Sequence, residues 1–238
     1  MAATVDEQLW RYALESPAAG IAAAVHEAST LSYFLDQIFY KEAGRVRITD
    51  WHQDTAYLNA TGDDLVRVWL PLDPTPRELA IEVVRGSHRW NVTYQVNIVP
   101  EAGGAAKTGG YSYGGIVQDP HLPPVPAVNR YRDSFDILGW AVDPGDVVVF
   151  HGHILHGAGG LAHHPRTRRA LAVMYAGPEE RFVQRSGIPV PDIASLRGIS
   201  LEAGARLQDY PQAYPVAWPR LVQQAGASGR STGGKSNN

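Results

Sequence analysis

Cysteine is absent from this chain of 238 residues. Its absence excludes a disulfide framework, a thiolate metal site and a thiol nucleophile. A membrane-spanning helix needs about 20 apolar residues in a row, and the chain has no run of nearly that length. The opening MAATVDEQLW lacks the apolar core of a secretory signal. These absences predict a soluble, cytoplasmic protein with no membrane partner.

An excess of basic charge is missing too, since 21 Lys and Arg residues stand against 24 Asp and Glu residues, for a formal net charge of -3. A nucleic-acid-binding surface would need a basic stripe. A cradle for CoA or a polyphosphate would need clustered Lys and Arg. We therefore expect no nucleic-acid partner, and a small organic molecule as the substrate.

Short β-type runs separated by Gly and Pro turns dominate the sequence after residue 45 and predict a sandwich or barrel, mostly β with some α. Residues 5–29 are rich in Ala, Glu, Leu and Gln, which favours helices, whereas residues 31–40 mix aromatic and aliphatic side chains and suit a strand. The length favours one domain over 1–225. Its predicted parts are a helical layer at 1–40, a barrel core at 45–178 and an irregular segment at 179–225, followed by a disordered tail at 226–238. Residues 100–126, dense in Gly, Pro and Tyr, are predicted to form a long ordered loop or lid.

The stretch WHQDTAY, at residues 51–57, carries the main chemical indication. On a β-strand, His52 and Asp54 would point to the same face, because they are two residues apart. An imidazole and a carboxylate side by side make two thirds of a facial triad for iron(II). On its own the pair is weak evidence, since an isolated strand histidine is more often satisfied by a backbone carbonyl.

A third ligand is offered by the segment DVVVFHGHILHG, at residues 146–157. His151 and His153 have the same-face spacing of a strand and are themselves candidates. We favour His156, because Gly157 after it leaves room for close backbone approach and because its spacing to Arg168 leads into the next strand. We expect His151 and His153 to lie near the site or at the surface, and His26 to be an ordinary surface residue.

Arg168 begins the run RRALAVMYAG. An oxo-acid that chelates iron needs a fixed cation for its far carboxylate, and the planar guanidinium binds a carboxylate bidentately. Arg169 alternates to the other face of the strand and is expected outside.

Taken together, several segments resemble the phytanoyl-CoA dioxygenase family of iron(II)- and 2-oxoglutarate-dependent oxygenases. They occur in family order over roughly residues 33–190. The segments are FYKEAG (39–44), WHQDTAY (51–57), VWLPLDP (68–74), RGSHRW (85–90), WAVDPGDVVVFHGHILHGA (140–158) and RRALAVMYAG (168–177).

The resemblance implies a double-stranded β-helix barrel with helices packed on one side, and an enzyme that uses iron(II), 2-oxoglutarate and O2 and releases succinate and CO2. It implies iron ligation by His52, Asp54 and His156, and an anchor for the distal 2-oxoglutarate carboxylate at Arg168. Gln53, Trp69 and, with a less direct match, Gln37 fall at positions that line the co-substrate in relatives. Lys41 matches a family lysine whose role stays open.

The sequence departs from the family pattern away from these residues. Asp50 and Arg85 stand where relatives often carry proline, which leaves the substrate and the turnover open. The region before His52 is shorter than is usual, which would expose part of the barrel or favour a partner subunit, such as a second copy of the chain. A related branch that halogenates has a small residue in place of the carboxylate, and Asp54 argues against it.

Two other functions fit the same scaffold. One is a cupin-like metal-dependent isomerase or hydrolase that uses a bound water. The other is a non-catalytic binding protein. Only the oxygenase needs Arg168 and produces succinate.

Overall fold

The computed structural model describes residues 6–46, 48–96, 107–108, 111–112, 121–185, 190–191 and 193–220. The predicted tail at 226–238 and most of the predicted lid at 100–126 lie outside these ranges. No helix among the described residues is long and apolar enough to cross a membrane.

Helices are short and strands dominate. The helices are α1 (Glu7–Glu15), α2 (Ala18–His26) and α3 (Ile193–Leu196). The strands are β1 (Leu31–Lys41), β2 (Gly44–Val46), β3 (Thr49–His52), β4 (Leu65–Pro71), β5 (Ile81–Val84), β6 (Lys107–Thr108), β7 (Tyr111–Ser112), β8 (Ile137–Gly139), β9 (Val148–His151), β10 (His156–Ala158), β11 (Leu161–His164), β12 (Arg168–Ala176) and β13 (Val216–Trp218).

Two antiparallel sheets form the body of the fold. One has the strand order β13-β1-β12-β4-β9 and the other β3-β10-β5-β8. The chain repeatedly crosses from one sheet to the other, so that β1, β4, β9 and β12 fall in the larger sheet and β3, β5, β8 and β10 in the smaller. This is the double-stranded β-helix, and the predicted fold class is confirmed.

Alternation along the strands separates two cores. On β4, Trp69 faces the space between the sheets and packs with Phe150 and Ala172, whereas Val66 and Val68 face the helices. Small residues on β12, Ala170 and Ala172, leave room between the sheets. The inner layer can therefore contain a cavity rather than being filled by side chains.

The helices cover the outer face of the larger sheet. Helix α1 begins at the N-cap Asp6, whose carboxylate accepts the Leu9 N–H at 2.9 Å. Helix α2 buries an alanine face, and the Tyr175 hydroxyl of β12 donates to the Ala13 carbonyl at 2.9 Å. The helical layer ends at His26 and is therefore shorter than the predicted 1–40. Residues 31–41 belong to the sheet, because their apolar side chains pack against both β12 and the helices.

The segment after β12 braces the loop that follows Asp54. Glu180 is fully buried, and its carboxylate accepts from the Thr61 hydroxyl at 2.6 Å, the Gly62 N–H at 2.8 Å and the Asp64 N–H at 2.9 Å. Asn59 donates from its side chain to the Val183 carbonyl at 2.8 Å. The irregular C-terminal segment thus fixes the path between β3 and β4, and β13 extends the larger sheet beside β1.

Replacement of Glu180 tests this bracing. Glu180→Ala leaves one buried and two partly buried donors of the loop without an acceptor, so we expect the free energy of unfolding to fall by about 2–4 kcal/mol. Glu180→Gln should cost less, because one acceptor oxygen remains. Urea denaturation measures the change. Glu179→Gln is the matched control, since that side chain is 67% exposed and should change stability by less than about 0.5 kcal/mol. Equal losses for both positions would contradict the bracing role.

Candidate metal centre

Two histidines face each other across neighbouring strands. His52 is the last residue of β3 and His156 the first of β10, and the antiparallel register pairs them directly. Their ring centroids lie 4.2 Å apart. Asp54 follows two residues after His52, at the start of a 3-10 turn over Asp54–Ala56. The carboxylate therefore comes from a turn and not from the strand that the His-X-Asp spacing predicted.

The three side chains converge on one point. Asp54 Oδ1 lies 3.7 Å from His52 Nε2, and Asp54 Oδ2 lies 3.8 Å from His156 Nε2. One ligand atom from each residue fits within 4.8 Å of the others. Two imidazoles and one carboxylate at this spacing can bind one divalent ion and leave its opposite face open.

Backbone carbonyls orient both imidazoles. His52 Nδ1 lies 2.7 Å from the Asp50 carbonyl, and His156 Nδ1 lies 3.0 Å from the Ile154 carbonyl. A carbonyl only accepts, so each Nδ1 carries the proton and each Nε2 presents a lone pair to the site. Burial, reinforced by the neighbouring His52, lowers the pKa of His156 to about 3, which keeps its ring neutral. An ordinary strand histidine is expected to bond a backbone carbonyl, and His52 does so through Nδ1. Its Nε2 stays available for a metal ion.

Asp54 is held as a carboxylate. Its side chain is fully buried, which by itself raises the pKa, but the Arg67 guanidinium and the Tyr57 hydroxyl lower it, and the pKa of Asp54 lies below its usual value. Tyr57 donates to Oδ1 at 2.5 Å, and Arg67 Nε lies 3.0 Å from Oδ2. A buried carboxylate with a depressed pKa is the charged ligand that a divalent ion requires.

A cavity opens beside these ligands and reaches Arg168, the first residue of β12. Arg168 is buried, donates from Nη1 to the Leu79 carbonyl and lies with Cζ 5.5 Å from the centre of the Trp69 ring. Lys41 pairs with Arg168 across the sheet, and burial together with the Arg168 charge lowers the pKa of Lys41 to about 7. The residues that line the cavity are Gln37, Phe39, Thr49, His52, Tyr57, Arg67, Trp69, Ile81, His156, Gly157, Ala158 and Arg168.

Most of the residues predicted for the site meet at this cavity. Gln37, Trp69 and Arg168 line it together with the two histidines, and Asp54 lies behind them. Arg169 points outside, where it binds Asp73.

Gln53 does not line the cavity, contrary to the expectation for a co-substrate contact. Its amide nitrogen donates to the carbonyls of Val92 at 3.0 Å and His153 at 2.9 Å, and its oxygen accepts the Tyr94 N–H at 2.9 Å. Gln53 follows His52 directly, and its side chain points away from His52 and Asp54. Its hydrogen bonds instead connect residues 92–94 to the turn before β10.

Arg67 is the functional candidate that the sequence analysis missed. It lies two residues before Trp69 on β4 and therefore on the same inward face. The alternation of β4 could have identified it, but an arginine in an apolar alternating strand is also typical of a solvated edge.

Four of the other histidines, His26, His88, His151 and His153, form a separate cluster. The ring of His151 lies 5.6 Å from that of His26, 5.3 Å from that of His88 and 5.7 Å from that of His153. Neither His151 nor His153 joins the metal ligands, as expected. His26 is not an ordinary surface residue, because its Nε2 contacts Asp64 Oδ1 at 2.8 Å and its side chain is only 14% exposed.

Comparisons with known proteins concern the family and the fold of the chain. A model of the family described as phytanoyl-CoA dioxygenase (PhyH) matches residues 5–169, more than half of the chain. The search of curated proteins with this chain found no match.

Several solved structures share the fold. The non-heme alpha ketoglutarate dependent carbocyclase SnoK from nogalamycin biosynthesis aligns with a TM-score of 0.63 and 21% identity over 90% of this chain and 73% of that chain. The epimerase SnoN from the same biosynthesis aligns with a TM-score of 0.62 and 18% identity over 91% and 75%. SnoN solved with Fe3+, alpha ketoglutarate and nogalamycin RO gives a TM-score of 0.59 at 19% identity over 91% and 76%. At such identities the likeness establishes the fold alone.

The histidine cluster predicts a loss of stability in mild acid. Burial, followed by the charges of His26 and His153, lowers the pKa of His151 to about 4. In the unfolded chain the histidine pKa is about 6.5. Between about pH 6.5 and 4 the unfolded state therefore binds a proton that the native state does not, so the free energy of unfolding falls as the pH drops through this range. We expect His151 to account for about 1–2 kcal/mol of that fall after solvent screening.

Urea denaturation at pH 7 and pH 5 measures this contribution. The free energy of unfolding should differ less between the two pH values in His151→Gln than in the wild type. The difference should be unchanged in His163→Gln, which alters an exposed histidine. The same pH dependence in the wild type and His151→Gln would contradict the assignment.

Proposed function

The chain belongs to the phytanoyl-CoA dioxygenase family, and on that premise we propose that it is an iron(II)- and 2-oxoglutarate-dependent oxygenase that hydroxylates a small organic substrate and releases succinate and CO2. The observation that supports the proposal most is the convergence of His52, Asp54 and His156 beside a cavity that also contains a buried arginine. A metal site alone would fit many reactions, but an anion anchor across the cavity fits an oxo-acid co-substrate.

His52, Asp54 and His156 would hold iron(II). Neutral imidazoles and one carboxylate suit this ion, and the donor set leaves open positions for other ligands. With 2-oxoglutarate and O2, the bound iron would supply an oxidant strong enough to break a C–H bond of the substrate. The chain's own contribution is to fix the ligands through the Asp50 and Ile154 carbonyls and the Tyr57 hydroxyl.

Arg168 would bind the distal carboxylate of 2-oxoglutarate. Trp69 packs against its guanidinium, and the Leu79 carbonyl fixes one of its nitrogens, so the group is oriented before the ligand arrives. The report that SnoN was solved with alpha ketoglutarate shows that a protein of this fold accepts such a molecule.

Apolar walls around the metal ligands would keep water from the reacting atoms. Phe39, Trp69 and Ile81 line the cavity between the ligands and Arg168. The centre of the Phe150 ring lies 4.8 Å from that of the His156 ring, with the two planes tilted by 49°. Such a dry surrounding strengthens the electrostatic interactions that orient the ligands and limits side reactions.

Loss of a metal ligand tests the proposal. Iron(II) and 2-oxoglutarate added without oxygen should give a weak visible charge-transfer band in the wild type. His52→Ala removes one of three ligands and should abolish the band, whereas His163→Ala, at an exposed histidine outside the site, should keep it. Succinate release in air is the second readout. A wild type with neither band nor succinate would contradict the oxygenase, and a metal-dependent isomerase or hydrolase would show catalysis without succinate.

A neighbouring pair of arginines tests the anchor. Arg168→Gln should weaken 2-oxoglutarate binding by about 10- to 100-fold, because a buried bidentate contact is lost. Iron binding should remain, since Arg168 is not a ligand. Arg169→Gln is the matched control, because that side chain is 55% exposed and pairs with Asp73 on the outer face. Titration of the charge-transfer band with 2-oxoglutarate measures both. Equal weakening of iron and 2-oxoglutarate by Arg168→Gln would show a structural role instead.

A further inference from the structure

Arg67 is a second buried guanidinium in the same cavity. Its side chain is 3% exposed, and its Nη2 is buried without a hydrogen-bond partner. Within the described part of the chain, Asp54 is the one carboxylate that pairs with it, through the contact of 3.0 Å between Nε and Oδ2. An unpaired buried donor on a charged group is costly, so its retention calls for an explanation.

Asp54 neutralises Arg67 only in part once a metal ion is bound. Both carboxylate oxygens face the histidines, Oδ1 at 3.7 Å from His52 Nε2 and Oδ2 at 3.8 Å from His156 Nε2, and Oδ2 also contacts Arg67. A single negative charge would then be shared between a divalent ion and a guanidinium. Burial of the remaining positive charge in a cavity of low dielectric is unfavourable unless an anion accompanies it.

The charges of the loaded cavity do not balance. A divalent ion, Arg67 and Arg168 contribute four positive charges, whereas Asp54 and a 2-oxoglutarate dianion contribute three negative ones. Among the described residues, those that line the cavity include no Asp or Glu. One positive charge therefore remains beside the metal ligands, even with Lys41 left uncharged.

We propose that Arg67 binds a carboxylate of the primary substrate, so that the substrate class is an organic acid with its reacting carbon close to this carboxylate. The proposal rests on the proposed function, because it places the acid in the cavity beside the iron ligands. Phe39, Trp69 and Ile81 offer the apolar surface for the rest of the molecule. Gln37, whose side-chain oxygen is buried without a partner, offers an acceptor for a hydroxyl or amide of the substrate.

Matched acids and amides test the proposal without turnover. The enzyme is loaded with Mn(II) and 2-oxoglutarate, and paramagnetic relaxation of ligand protons reports binding near the metal. The probes are acetate, butyrate and phenylacetate, each against its primary amide of nearly the same shape. At least one acid should bind tenfold or more tightly than its amide. Arg67→Gln should bring that preference to within twofold, whereas Arg67→Lys, which keeps the charge, should retain part of it.

Controls separate this proposal from the proposed function. Arg77→Gln changes an arginine that is 50% exposed and should leave the preference unchanged. If the wild type shows no preference for any acid, or if the preference survives Arg67→Gln, the substrate carboxylate is not bound by Arg67. A charge-transfer band with iron(II) and 2-oxoglutarate in the same preparation would leave the oxygenase intact in that case. Its absence would overturn the oxygenase itself. If Arg67→Gln fails to fold, the wild-type comparison and Arg67→Lys still decide the question.

Discussion

The register between β3 and β10 is the constraint on which the site depends, because it places His52 directly opposite His156. Residues directly opposite on antiparallel strands have Cβ atoms about 4.5–5.5 Å apart, and a slip of one residue would turn one imidazole to the other face. Close packing fixes this register. A Cβ at Gly157 would lie 2.9 Å from the Thr49 carbonyl oxygen, so the strands can approach this closely only with glycine there. The sheet thus brings two of the three proposed ligands together, and the turn after β3 adds Asp54.

Electrostatics in the cavity follow from the same arrangement. Each imidazole donates a hydrogen bond from Nδ1 to a backbone carbonyl, and the buried charged side chains beside them are those of Asp54 and the two arginines. Such a cavity favours anions once a cation occupies the ligands. This preference would connect the proposed metal ligands, the proposed oxo-acid co-substrate and the proposed acidic substrate through one physical cause, which is the cost of a buried unpaired charge.

The sequence predicts the chemistry-bearing motifs better than their exact surroundings. The double-stranded β-helix is confirmed, and the predicted ligands meet at one point, because short motifs report local residue types directly. Their surroundings depend on long-range packing. Asp54 lies on a turn and Gln53 points towards residues 92–94, since β3 ends one residue before it. The sequence of β4 alone does not predict a role for Arg67, because it does not show that Asp54 lies opposite this side chain. The sequence predicts a surface position for His26, because its partner Asp64 is 38 positions away in the chain and local sequence does not reveal the contact.

The location of the metal itself tests the central claim most directly. Crystals grown without oxygen in the presence of iron(II) and 2-oxoglutarate can be measured at the iron absorption edge, where anomalous scattering marks the ion. The account predicts one iron peak at coordination distance from His52 Nε2, His156 Nε2 and a carboxylate oxygen of Asp54. A peak at the cluster of His26, His88, His151 and His153, or density for 2-oxoglutarate away from Arg168, would contradict it.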